Sequence, residues 1–200
     1  MAGLREKQKA SRKRALVEAA SLLFKQHGYE AAKIGEIAER AEVSVGTFYN
    51  YFPSKADLLL AIVSLEVEEV LHQGEAVLGW SHDSAPEAIC RLASIYYDHS
   101  LVYLTKEMWR TAMALAIQHP ETPFSDRYRM LDSELVKQVT KLVEVLQAQS
   151  LLRAEIDPAA FGEVLFMSLN GLFTTYTMSE DMTLEDLNQS LSTHMRAVCG

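Results

Sequence analysis

Between Ser44 and Lys55 the chain reads SVGTFYNYFPSK. Wound as a helix at about 100° per residue, Val45, Phe48 and Phe52 gather on one side. Gly46, Thr47 and Asn50 point the opposite way, with Tyr49 and Tyr51 on the flanks. The Thr47 hydroxyl and the Asn50 amide can hydrogen-bond base edges or phosphates. A glycine lets a backbone come close, and tyrosine hydroxyls reach phosphate. Such a face suits a short helix laid in the major groove of double-stranded DNA. Lys55, at the start of the next helix, is a candidate phosphate contact.

The flanking residues show how this helix is positioned. Ile34, Ile37, Ala38 and Ala41 fall at i, i+3, i+4 and i+7, the spacing of a preceding short helix with one apolar face. Ala41–Val43 breaks that period as a tight turn, and Ser44 suits an N-cap. Pro53 ends the groove helix, because the residue before a proline avoids the α region. Ser54 with Asp57 forms a box-like cap for the helix that follows. Upstream, Leu16, Ala19, Ala20, Leu23 and Phe24 form the buried stripe of a helix over 12–27, and Gly28 is its left-handed stop. Residues 1–11 read as a flexible arm rich in basic residues, among them Arg5, Lys7 and Lys9, either a solvated tail or an arm that gains phosphate or minor-groove contacts on DNA.

The run VSVGTFYNYFPSKADLL, with its lead-in AASLLFKQHGYEAAKIGEIAERAEVS, resembles the DNA-binding segment of TetR-family transcriptional repressors over residues 12–62. The resemblance implies a helix-turn-helix domain over 1–53, a helical regulatory and dimerisation domain over 54–200, and an all-α chain of about nine helices. It implies DNA contacts from Lys33, Ser44, Val45, Gly46, Thr47, Tyr49, Asn50, Tyr51 and Lys55. Three departures from the family pattern stand out. Ala32-Lys33 replaces the hydroxyl that usually caps the second helix, although Lys33 keeps a cation there. Glu42 stands where the turn often has glycine, and is strained if that turn needs φ > 0. Val45 stands where lysine is frequent, and offers an apolar touch to a thymine methyl.

Charge is unevenly placed. Residues 1–60 hold 10 Lys and Arg against 7 Asp and Glu, while the rest of the chain holds 9 against 20, within a net charge of −8. The basic part is the expected DNA surface; the acidic part would repel phosphate. Two cysteines without CxxC spacing, Cys90 and Cys199, exclude a disulfide framework and a thiolate zinc site and fit a reduced, cytoplasmic setting. No run is apolar and long enough to span a membrane. The motifs GxSxG, HExxH, GxxxxGK[ST] and GxGxxG are absent, and the six histidines lack metal-pair spacing, so neither an enzyme nor a cofactor is expected.

The remaining chain reads as helices over 54–73, 86–104, 106–118, 124–149, 159–178 and 183–198, with a loop over 74–84. The helix over 159–178 is apolar on most sides, and Gly162, Ser168 and Gly171 would let another helix approach. The resemblance implies a homodimer built from the last two helices, as two-fold half-sites require. The middle helices concentrate Tyr96, His99, Tyr103, Trp109, Met113 and Tyr128, adaptable side chains that pack a core or line a ligand pocket. With Phe166, Asn170 and Phe173 they form the expected site for a small hydrophobic or aromatic effector. Activator function, ligand-independent regulation and a helical enzyme are the competing readings.

Overall fold

Helical apolar periodicity, unopposed by any strand-period segment, yields nine helices and no strand among the described residues, 2–199 of the computed structural model. Met1 and Gly200, counted in the expected arm and C-terminal domain, lie outside them. The helices are α1 (Ala2–His27), α2 (Ile34–Arg40), α3 (Val45–Tyr51), α4 (Lys55–Leu78), α5 (Ala85–His99), α6 (Lys106–Gln118), α7 (Pro123–Ala148), α8 (Pro158–Met178) and α9 (Leu184–Cys199). The side chains of Ser44, Ser84, Thr105 and Asp157 accept backbone N–H bonds at the starts of α3, α5, α6 and α8. Thr183 and Asp186 cap each other reciprocally at α9.

Three helix ends differ from the sequence expectation. The segment expected to be a flexible arm is part of α1, which begins at Ala2; Ala, Lys, Arg, Gln and Glu are all good helix formers. Helix α4 continues through Gly74 to Leu78, so the loop shrinks to 79–84. A Cβ at Gly74 would lie 2.8 Å from Leu92 and overlap the Gln138 amide, so close packing accounts for this interior glycine. Helix α5 stops at His99, five residues short of the expected Leu104, where the buried Ser100 hydroxyl donates to the Tyr97 carbonyl at 2.7 Å and competes with the helix ladder.

The chain forms two compact units that do not follow the expected division at residue 53. Unit 1 takes the residues up to Leu65 together with Tyr103–Arg127; unit 2 takes Glu66–Val102 and the residues from Tyr128 onward. In unit 1, α1 packs on α2 and α2 on α3. Leu16, Ala20, Phe24, Ile37, Phe48, Leu58, Leu59, Ile62, Met108 and Ala112 are buried at 0–1 % exposure. Each of the larger side chains contributes about 1.5–3 kcal/mol by leaving water.

The turn joining α1 to α2 is held from two directions. Gly28 stands at φ +81°, the left-handed conformation in which its N–H reaches the Phe24 carbonyl at 2.9 Å. The Lys55 ammonium donates to the carbonyls of Tyr29, Glu30 and Ala32 at 2.7, 3.0 and 3.4 Å, and lies 4.5 Å from the Tyr29 ring centroid. From α6, Glu107 accepts the Tyr29 N–H at 3.3 Å. Further along α1, the Ser21 hydroxyl donates to the Tyr103 carbonyl at 2.6 Å. Burial, then the negative charges of Glu30 and Asp57, push the Tyr29 phenol up to about 12.

In unit 2, α9 packs on α5 and α8 through Leu187, Leu191 and Met195, all fully buried. Val198, expected on this same face, is 45 % exposed. Gly162 is buried, and a Cβ there would overlap the Thr140 hydroxyl, so its small size serves the packing of α8 on α7 within the chain. The Gln138 amide ties α7 to α4 and α5: it donates to the Leu71 carbonyl at 2.8 Å and accepts from the Tyr96 hydroxyl at 2.7 Å. Asp132, also on α7, is half-buried, and desolvation raises its carboxyl to about 6.

Two measurements check these features. Lys55→Ala removes the cation that three carbonyls share, and hydrogen bonds to charged groups contribute about 1.5–3 kcal/mol. For a chain of this size the expected fall in melting temperature is roughly 4–8 °C; an unchanged melting temperature refutes the clamp. Asp132 has a folded pKa above its unfolded one, so its neutral form favours the fold and its contribution is lost as pH rises from about 4 through about 6. Asp132→Asn is therefore expected to stabilise the chain by about 1–2 kcal/mol at pH 7.5 and to make no difference at pH 3.5. Denaturant midpoints at both pH values read this out.

Candidate nucleic-acid interface

Helix α3 begins at a closely defined corner. Glu42 stands at φ +54°, its N–H donates to the Glu39 carbonyl, and the Val43 N–H reaches back to Ala38 at 2.9 Å. This is a Schellman stop with glutamate in the place glycine favours, and it costs about 1 kcal/mol. The strain anticipated from the sequence is thus present. Lys33, at the N-cap of α2, makes no side-chain cap bond, as its type requires.

The corner turns α3 so that Phe48 and the following Phe52 face inward, at 0 and 3 % exposure, with ring centroids 6.0 Å apart. Val45 does not join them; it is 44 % exposed, one turn ahead of Tyr49 at 52 %. Gly46 and Asn50 are exposed, whereas Thr47 and Tyr51 are half-buried. Ser44 has two local bonds: it accepts the Thr47 N–H at 3.0 Å and shares a hydrogen bond with the Thr47 hydroxyl at 2.9 Å. The nearest atom to a Cβ built at Gly46 would be Ser44 Oγ, 3.8 Å away. The chain itself therefore has room for a side chain there, and any need for glycine comes from outside it.

The two lysines behave differently. Lys33 is exposed, 4.0 Å from an exposed Glu36, a surface pair of little energetic weight that leaves the cation available. Lys55 has its ammonium on three backbone carbonyls, a structural bond that its place at a helix start did not announce. Glu107, the other residue holding the turn, carries no local sequence signal, because its partner is 78 residues away.

The residues expected to receive an effector divide between the units. Tyr103, Trp109 and Met113 belong to unit 1, where Trp109 is 7 % exposed. Tyr96, His99, Tyr128, Phe166, Asn170 and Phe173 belong to unit 2. The Tyr96 hydroxyl is engaged by Gln138, and burial raises the Tyr96 and Tyr128 phenols far above their ordinary value. The His99 ring bridges the buried Glu66 carboxylate at 2.5 Å and Glu69 at 3.1 Å. Phe173 stacks on Tyr97, with centroids 6.0 Å apart, while Asn170 is exposed. Among the described residues no group of three His, Cys, Asp or Glu side chains could hold a metal, and no helix is long and apolar enough to cross a membrane.

Comparison with known proteins meets this geometry at the same residues. Residues 16–62 match the profile of bacterial regulatory proteins of the tetR family. The chain is 46 % identical over 68 residues to the HTH-type transcriptional repressor KstR of Rhodococcus jostii, a match covering 34 % of this chain and 32 % of that one. It spans about a third of the length of KstR proteins from three organisms that it matches. Over nearly its whole length it superposes on FadR of Bacillus subtilis, solved in complex with stearoyl-CoA (TM-score 0.68, 17 % identity, 91 % of this chain and 96 % of that one). It superposes equally on a TetR/AcrR-family regulator of Thermobifida fusca (TM-score 0.66, 21 % identity, 92 % and 96 % covered). Residues 16–62 thus match the helix-turn-helix of bacterial regulatory proteins of the tetR family, on a chain whose all-α fold is shared with solved structures of such regulators.

Proposed function

We propose that the chain is a transcriptional repressor that binds a two-fold operator as a homodimer and is released by a small, largely apolar effector. The observation that carries this reading is the outward face of α3. Val45, Gly46, Tyr49 and Asn50 are exposed around a helix whose inner face is fully buried. Its dimensions suit the major groove, where the Asn50 amide can pair with an adenine edge. The match to the repressor KstR within the helix-turn-helix supports the same assignment.

The dimer reading draws on α8. Val164, Met167 and Met178 are 55, 68 and 72 % exposed and, with the exposed Gly171, recur down one side of the helix. Large apolar side chains in a row on one helix need cover, and a second copy of the same helix supplies it by two-fold symmetry. The FadR complex with stearoyl-CoA supports an effector with a long apolar portion, in keeping with the aromatic and methionine content of the middle helices. Such a molecule releases DNA only by binding the DNA-incompetent state more tightly.

Two experiments decide between these assignments and their alternatives. On a duplex carrying the DNA upstream of its own gene, Asn50→Ala is expected to narrow the preference over mixed-sequence DNA by five- to a hundredfold, the value of a bidentate base contact of about 1–3 kcal/mol. An unchanged preference, with helicity intact, removes α3 from base readout. Nothing in the chain lies within 4 Å of a Cβ at Gly171, so Gly171→Arg leaves the subunit's own packing alone. It is expected to sediment as a monomer and lose operator binding; an intact dimer moves the interface elsewhere.

A further inference from the structure

The N-terminal third of α1 is a basic overhang. Residues 6–14 are exposed along their whole length, and Leu16 is the first large apolar side chain after them to be fully buried. Lys9, Arg12, Lys13 and Leu16 fall at i, i+3, i+4 and i+7, so they share one helix face. That face continues as Leu16, Ala20 and Leu23, a stripe buried in the core of unit 1. The buried stripe of α1 thus changes from apolar to cationic where the packed part of the helix ends. Arg14 pairs with Glu18 at 2.7 Å. Lys7, Lys9, Arg12 and Lys13 have no ion-pair or hydrogen-bond partner among the described residues.

We infer that Lys9, Arg12 and Lys13 form a phosphate-gripping face for the duplex flanking the segment read by α3, an inference that rests on the DNA-binding reading above. Charge complementarity selects the occupant. Five cations against one carboxylate stand between Glu6 and Arg14, in a chain whose net charge is −8. Thirteen helical residues ahead of Ala15 reach about 20 Å at 1.5 Å per residue, the scale of a duplex diameter. An anionic membrane is the poorer fit: a surface-lying helix needs large apolar side chains opposite its cations, and Glu6–Ala15 has none. Lys9 and Lys13 repel each other at i, i+4, and a polyanion beside them relieves that repulsion. The contact carries no sequence information, because phosphates are the same at every base pair.

The test compares the full-length chain with the triple variant Lys9→Gln, Arg12→Gln, Lys13→Gln on a 40-base-pair mixed-sequence duplex and on the DNA upstream of its gene. Each lost phosphate contact lowers the slope of log affinity against log salt by about 0.9. The triple variant is expected to lose 2–3 units of slope equally on both duplexes and to keep its preference between them. An unchanged slope in the triple variant, while Asn50→Ala still erodes the preference, overturns the overhang and leaves the DNA-binding reading standing. If neither variant changes binding, the DNA-binding reading fails and the overhang with it. Loss of binding to phosphatidylglycerol-containing vesicles, with DNA slopes intact, assigns the face to a membrane and overturns the inference equally. All three side chains are exposed, so an altered circular dichroism spectrum or sedimentation coefficient is not expected.

Discussion

One ammonium group organises the helix-turn-helix part of unit 1. Lys55 Nζ reaches back 23 to 26 residues to the carbonyls of the turn between α1 and α2. It fixes that turn against the start of α4, and α3 is strung between α2 and α4 by only a few residues on either side. An ammonium has three donors and no acceptor, and here all three have carbonyls in reach. Backbone carbonyls in a short turn are otherwise left to water, because no helix ladder takes them. The Tyr29 ring adds a face for the same cation, and Glu107 on α6 accepts the Tyr29 N–H. The orientation of the reading helix therefore depends on a polar contact as well as on the apolar core beneath it.

Much of the fold was legible because it is written locally. Caps act over three residues, so Ser44, Ser54, Thr105, Asp157 and Thr183 could be read as helix starts from their neighbours alone, and each accepts the expected backbone bond. Apolar spacing at three and four gave α6 to α9 within a residue or two of their ends. The failures involve partners distant in sequence. Gly74 reads as a loop residue by type, and its helical conformation depends on an amide 64 positions away. The end of α5 depends on a single buried hydroxyl, which hydrophobic periodicity does not register.

The candidate interface divides in the same way. The inward turn of Phe48 and Phe52 and the outward turn of Asn50 follow from helical geometry. Helical angle alone puts Val45 with the inner residues, but the first residue of a helix has no preceding turn to cover it, and it stays exposed. Lys55 was legible as a cation at a helix start and illegible as a clamp, because nothing near it in sequence marks the carbonyls it serves. The effector set shows the limit of composition. Tyr96 and Trp109 are alike in kind and close in sequence, yet they belong to different packing units.

Unit 1 is assembled from two pieces of chain, with residues 103–127 filling a place beside residues up to Leu65. Cutting after the helix-turn-helix would strip Tyr29 of its Glu107 acceptor and Ser21 of the Tyr103 carbonyl. The helix-turn-helix is therefore not a detachable cassette. Exchange of heads between relatives, whether by recombination in nature or by construction of chimeras, has a natural seam only if α6 travels with the first four helices. A graft that leaves α6 behind must restore an acceptor at the position of Glu107, or accept a recognition helix whose supporting turn is less firmly held.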